Sequence, residues 1–340
     1  MTLSDIGEFG FIHRISPGCL NRQDRVYKAI GDDAAAYWSD SQKLTLVTTD
    51  LLIERVHFLR QASSGFQLGH KALAVNMSDI AAMGGTAREA FVSIAIPRDC
   101  SLDFLDELFA GMKHLAREYA VNILGGDTTA SRQDLVINIA LTGEVDPGEI
   151  LCRKGARPGD VLCCTGNLGD SRAGLSLIID DLPVDTEAMH TLFTTHTRPR
   201  PHLAEGRFLA ESLVVTAAMD ISDGLSSDLG HLAAASGVGA RIRADCLPLS
   251  SELQTFCDRY GHDAVQWALA GGEDYTLLFT VDQGWVQDLQ KKFSRTFGTR
   301  FSMIGQITDS DRLELVHTSG QVEDIRPTGW NHLRRETESS

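Results

Sequence analysis

Leu44-Thr45-Leu46-Val47-Thr48-Thr49-Asp50 and the run over residues 68–83 decide the fold class. The first stretch reads as a strand that ends in polar residues, because apolar and β-branched side chains alternate along it. In the second, Leu68, Ala72, Val75 and Asp79 recur at spacings of four, three and four, one face of a helix that Gly84-Gly85 stops. Asp79 therefore shares a helix face with apolar residues. Working outward, Ser101 caps a second helix whose buried stripe is Leu105, Leu108, Met112, Leu115 and Tyr119, and strands are expected over 120–124 and 134–142. Gly155-Ala156-Arg157-Pro158-Gly159-Asp160 is the best linker signal, so a domain boundary is expected within 146–159, dividing the chain into residues 1–148 and 149–333 with a loose polar tail over 334–340. Beyond it a strand over 214–219 runs into Asp220-Ile221-Ser222-Asp223-Gly224, Leu225, Leu229 and Leu232 mark a helix, and strands over 275–281 and 301–307 flank an amphipathic segment. A period that switches between two and 3.6 predicts an α/β (α+β) protein of two mixed-layer domains.

Composition narrows the function. The 340 residues are 43% hydrophobic and 23% charged, with 31 basic against 46 acidic side chains and a net charge of −15, which excludes a disordered tail, a collagen and a small disulfide scaffold. The acidic balance argues against nucleic-acid partners, whose affinity comes mainly from Lys and Arg on phosphates. A phosphate-bearing small molecule would need placed cations or bound metal ions instead. Seven scattered cysteines (19, 100, 152, 163, 164, 246, 257) without a Cys-x-x-Cys pair read as reduced core thiols. The first residues resemble no secretory signal and no apolar run approaches the ~18 residues of a membrane span, so a cytoplasmic protein without membrane contact is expected.

Six acidic clusters lie beside glycine or at strand ends: Gly31-Asp32-Asp33, Thr48-Thr49-Asp50, Asn76-Met77-Ser78-Asp79, Gly125-Gly126-Asp127-Thr128-Thr129, Asp220-Ile221-Ser222-Asp223-Gly224 and Gly271-Gly272-Glu273-Asp274. Each alone is ordinary turn and cap chemistry. Together they fit hard divalent cations, since Mg²⁺ takes one or two carboxylates plus the oxygens of a bound phosphate. Glycine pairs are either plain turns or places where backbone N–H groups approach a ligand. Arg153 either reaches a nucleotide phosphate or is a solvated linker residue, and Lys71 and Lys154 are further cationic candidates. His57 is a surface, core or ligand-facing residue, and Trp330 is either a hydrophobic anchor or a platform for a heterocycle. The Gly-x-x-x-x-Gly-Lys-Ser/Thr loop and the protein-kinase signatures are absent from the sequence.

Taken in order, these segments, with Val56-His57-Phe58, the run from Lys71 to Gly84 and Gly271-Gly272-Glu273-Asp274-Tyr275, resemble the thiamine-monophosphate kinase family. Its superfamily also holds aminoimidazole ribonucleotide synthetase, selenophosphate synthetase and a hydrogenase-maturation protein. The resemblance implies transfer of the γ-phosphoryl of ATP to thiamine monophosphate by direct in-line attack. It further implies several Mg²⁺ ions on Asp33, Thr48, Thr49, Asp50, Asp79, Asp127 and Asp220, with Asp223 near another; Asp50, Asp79, Asp127 and Asp220 would be the catalytic acids. Gly126, Asp127, Arg153 and Ser222 would hold ATP, and His57, Glu273 and Trp330 would hold thiamine monophosphate. A homodimer joined through the N-terminal sheets is implied, while assistance by K⁺ and the choice between Asp32 and Asp33 stay open on the residues alone. Where the family often carries His-x-Arg-Pro-x-Pro-Arg, this chain has His196-Thr197-Arg198-Pro199-Arg200-Pro201-His202. Within the superfamily a synthetase acting on another acceptor is the alternative, and a nucleotide-binding protein without turnover is a third.

Overall fold

The computed structural model describes residues 10, 12–17, 19–20, 23–39 and 42–326. Two sheets organise it. β1 (Val26–Lys28), β2 (Ala35–Trp38), β3 (Leu44–Ile53), β4 (Thr86–Ile96), β5 (Asn122–Ala130) and β6 (Val136–Val145) form the first, in the order β1-β2-β3-β6-β4-β5. Only the β4–β5 pair is parallel within it. Helix α1 (Gly65–Ala82) and helix α2 (Leu102–Glu118) pack on this sheet and on each other. The expected cap at Ser101 is present, its hydroxyl accepting from Phe104 N at 3.2 Å. α1 and α2 approach closely because Gly69 faces the other helix's backbone: a Cβ there would lie 1.8 Å from Leu108 O.

The second sheet comprises β7 (Val161–Cys164), β8 (Val215–Asp220), β9 (Gly239–Arg243), β10 (Leu277–Val281), β11 (Ser302–Thr308), β12 (Leu313–Val316) and β13 (Val322–Asp324), in the order β13-β12-β9-β11-β7-β10-β8. Helices α3 (Asp170–Ile179), α4 (Glu187–Thr197), α5 (Leu203–Ser212), α6 (Leu225–Ser236), α7 (Ser251–Tyr260), α8 (Ala264–Ala270) and α9 (Val286–Phe297) accompany it. Cys163 and Cys164 are neighbours on β7 and so point to opposite faces; both are buried, one in each of two separate core clusters. The seven cysteines are free thiols, as expected, but only Cys163, Cys164 and Cys257 are buried in the core, and Cys19 is exposed.

α1 joins the two halves of the molecule. Almost all of it is buried, including His70, Lys71, Asn76 and Ser78, because it is covered by β3 and β6 on one side and by α5 and β8 on the other. A helix so placed must satisfy its polar side chains internally. It does so with residues of both sheets' surroundings, and that places the site.

Two expected strands run longer, the one over 44–50 continuing to Ile53. The strand expected over 120–124 continues to Ala130, because Gly125 and Gly126 do not end it: they pair with Phe91 and Val92 in the β4 ladder. Gly126 has φ +150°, and a Cβ there would meet Val92 O at 1.7 Å, so glycine here serves close strand contact instead of a turn. The strand β4, for which no expectation was formed, has bulges that break its alternation between Ala87 and Ala90.

Candidate active site

The ends of several elements converge between the sheets. Asp33 lies in the turn between β1 and β2, Asp79 in the last turn of α1, and Asp220 closes β8; one carboxylate oxygen of each lies within 4.8 Å of the others. At that separation each like-charged pair repels by about 3 kcal/mol with an effective dielectric of about 20. Burial, opposed by Arg153 and aided by Asp220, pushes Asp33 up to about 7, and burial with the charges of Asp50, Asp220 and Asp33 pushes Asp79 well above the carboxylate range. Asp50 and Asp220 are pushed up to about 6, again by burial.

Each acid is held from behind. Ser78 Oγ donates to Asp220 Oδ2 at 2.6 Å across the junction, and the Thr48 hydroxyl donates to Asp79 Oδ2. The Arg153 guanidinium donates to Asp33 Oδ1 from Nη2 at 2.7 Å and Nε at 3.2 Å. Asp32 has a different task, accepting the Arg153 backbone N–H at 3.1 Å and pairing with Lys28 at 2.7 Å. Of the two, Asp33 joins the acidic group. Because β2 pairs only with residues 44–47 of β3, the far half of β3 lacks a strand on that side. Asn76 stands in for it, its Oδ1 accepting from Asp50 N at 3.1 Å, while Asn138 Nδ2 donates to Thr49 Oγ1 at 2.8 Å and to Asp50 O at 3.0 Å.

Asp33 Oδ2 and Asp50 Oδ2 are buried without a hydrogen-bond donor. A buried anionic oxygen lacking a donor is costly. A hard cation would satisfy it, so these residues fit Mg²⁺ on their own chemistry.

After β8, Asp223 and Gly224 bend into α6 because the buried Asp228 carboxylate accepts both backbone N–H groups, at 3.1 and 3.0 Å. Ser222 O accepts from Glu273 N at 2.7 Å, tying this turn to the loop before β10. There Glu273 and Tyr275 both hold positive φ, +63° and +51°. Burial alone would raise Glu273, but the Lys71 ammonium beside it prevails and holds it below its ordinary value. His57 follows β3, and its Nδ1 accepts from Ile53 N at 3.0 Å.

Gly126 and Asp127 are not brought into this group. One row of register runs Leu51–Asn138–Ser93–Asp127 through β3, β6, β4 and β5. Three strand spacings of ~4.8 Å put Asp127 about 14 Å from that end of β3, exposed on the sheet's outer edge. Trp330 lies outside the described residues. His202, which departs from the family pattern, is buried with its Nδ1 2.9 Å from Thr165 Oγ1. Sequence reasoning passed over Ser78 as a support, although it adjoins Asp79, and over Asn138 and Asp228, which carry no local signal.

The profile of the AIR synthase related protein N-terminal domain matches residues 31–145, and that of the C-terminal domain matches residues 157–318. The thiamine-monophosphate kinase of Bacillus subtilis is 34% identical over 332 residues, covering 96% of this chain and 99% of that relative. The chain belongs to the thiamine-monophosphate kinase family. A second family member, from Salmonella typhimurium, is 38% identical over 332 residues, covering 96% of this chain and 98% of its own. The solved structure "AaThiL complexed with AMPPCP and TMP" has a TM-score of 0.86 at 34% identity, covering 98% of this chain and 99% of that one. The family's two-domain α/β fold is thus the fold of this chain. Among the described residues no helix is long and apolar enough to cross a membrane.

Proposed function

We propose that this chain transfers the γ-phosphoryl of ATP to thiamine monophosphate, giving thiamine diphosphate and ADP. The observation that carries this reading is the meeting of Asp33, Asp79 and Asp220 from two domains, in a chain that matches family members along nearly its whole length. The family relative bound to AMPPCP, an ATP analogue, and TMP supports the two substrates.

A phosphate oxygen of thiamine monophosphate attacks the γ-phosphorus in line; a new P–O bond forms as the bond to the β-phosphate oxygen breaks, and ADP leaves. A monoester with a second pKa near ~6 is already largely dianionic at neutral pH, so no strong general base is needed. Positioning and charge neutralisation dominate. Asp33, Thr48, Thr49, Asp50, Asp79 and Asp220 would hold several Mg²⁺ ions, with Asp223 beside a further one, while Asp127 on the outer edge of the sheet would hold an ion apart from them. When bound, Mg²⁺ supplies charge neutralisation on the phosphate oxygens.

The chain's own groups do the rest. Asp33 takes Nε and Nη2 of Arg153, and the remaining guanidinium donors are proposed to meet an ATP phosphate, with Ser222 beside them. Gly126 and Asp127 are proposed to meet the nucleotide at the sheet edge, where a second chain of a homodimer would also join. His57, Glu273 and Trp330 are proposed to hold thiamine monophosphate.

The decisive measurement is thiamine diphosphate formation by purified protein with ATP and thiamine monophosphate, with and without a chelator. Product is expected only while divalent cations are present. Undiminished product after chelation would remove the metal from the reading, and turnover with a purine precursor in place of thiamine monophosphate would remove the substrate.

A further inference from the structure

Lys71 is 4% exposed, yet the reaction described above gives its ammonium no task. Burying such a charge is unfavourable unless it is paired and hydrogen-bonded. Its partners come from the other domain: Glu273 Oε1 at 2.8 Å and His196 Nε2 at 3.4 Å. An ammonium only donates, so His196 Nε2 must present its lone pair and the ring proton must sit on Nδ1. That nitrogen lies 3.0 Å from Ser171 Oγ and 3.5 Å from Glu273 Oε2. Burial, then Lys71, lowers His196 to about 3, which keeps the ring neutral and this tautomer in place. Glu273 Oε1 is thus held by the Lys71 ammonium, and that hold acts on a residue whose backbone, at φ +63°, needs outside support.

The helix that carries Lys71 also carries Ser78, which reaches Asp220 at 2.6 Å. Seven residues of helix separate the two donors, a rise of about 10 Å. One rigid element thus grips the second domain at two points, the acidic group and the Glu273 loop.

We propose that Lys71 is a positioning residue, locking Glu273 across the domain junction so that the carboxylate offered to the acceptor stands at a fixed place relative to the acidic group. This rests on the reading that Glu273 serves the acceptor. Direct contact of Lys71 with a substrate phosphate is disfavoured by its burial and by the two partners already on its ammonium.

The test is steady-state kinetics on Lys71→Met, Lys71→Arg, Glu273→Gln and the double variant Lys71→Met/Glu273→Gln, with melting temperatures alongside. Lys71→Met should raise KM for thiamine monophosphate roughly tenfold or more while KM for ATP stays within about twofold. Lys71→Arg should recover most of that loss. The double variant should match Glu273→Gln, because an unlocked carboxylate and a missing one are equally unproductive. This comparison stands even if Lys71→Met alone fails to fold, since the double variant carries neither charge. Equal rises in both KM values, or penalties that add in the double variant, overturn the proposal. Wild-type protein that makes no thiamine diphosphate would instead overturn the functional reading.

Discussion

Replacing Asp50 by Asn should make the metal-free protein more stable while removing its activity. Burial raises this carboxyl from 3.8 to about 6, a penalty of about 3 kcal/mol on the charged folded form at ~1.4 kcal/mol per unit. The sign follows from the folded value lying above the unfolded one. Below about pH 4 both states are protonated and the penalty is absent; it grows between about pH 4 and 6 and is complete above. Asn cannot ionise, so the variant escapes it, and its amide keeps nearly the shape of the acid. With about 2.1 cal/mol/K of unfolding entropy per residue, 340 residues convert about 3 kcal/mol into a rise of roughly 4 °C. The assay is thermal melting in chelator at pH 5 and pH 7.5, then at pH 7.5 with Mg²⁺. The variant should melt higher than wild type at pH 7.5 in chelator, lose about half of that advantage at pH 5, gain less from Mg²⁺, and turn over about a hundredfold more slowly or worse. A variant that melts lower than wild type at pH 7.5 in chelator, or keeps near-normal turnover, would refute the argument that Asp50 is a strained, cation-seeking carboxylate.

Two further outcomes follow from packing and hydrogen bonding. Ser78→Ala removes the donor to Asp220 Oδ2 and should cost about 1–3 kcal/mol, read as a lower melting temperature that Ser78→Thr partly restores. Gly69→Ala forces a Cβ to 1.8 Å from Leu108 O, so α1 and α2 must separate; a loss of about 1–3 kcal/mol or more is expected in denaturant unfolding, and an unchanged midpoint would mean the helix contact is softer than drawn.

Local chemistry was legible where it was periodic. The strand over 44–50 extends only to Ile53, the helix over 68–83 is α1, and the Ser101 cap is in place. β5 was harder, because Gly125-Gly126 has the composition of a turn and joins the sheet only through the parallel partner β4 supplies. β4 itself hid behind bulges. The acids were all visible as residues, but their supports were not: Ser78 and Asp220 are 142 positions apart, and Arg153 and Asp33 are 120 apart. No window of sequence contains both members of either pair.

By itself the sequence determined the strongly periodic strands and helices, the acidic inventory, the net negative charge and the family likeness, since each is written in composition or in neighbours a few residues apart. Tertiary structure alone decided that Asp33, not Asp32, joins Asp79 and Asp220, that Asp127 stands three strands away, and that Lys71 grips Glu273. Those outcomes depend on strand order and on how the two domains dock over one buried helix. Docking of that kind is the sum of many weak burial and packing terms spread along the whole chain, and no short segment records it.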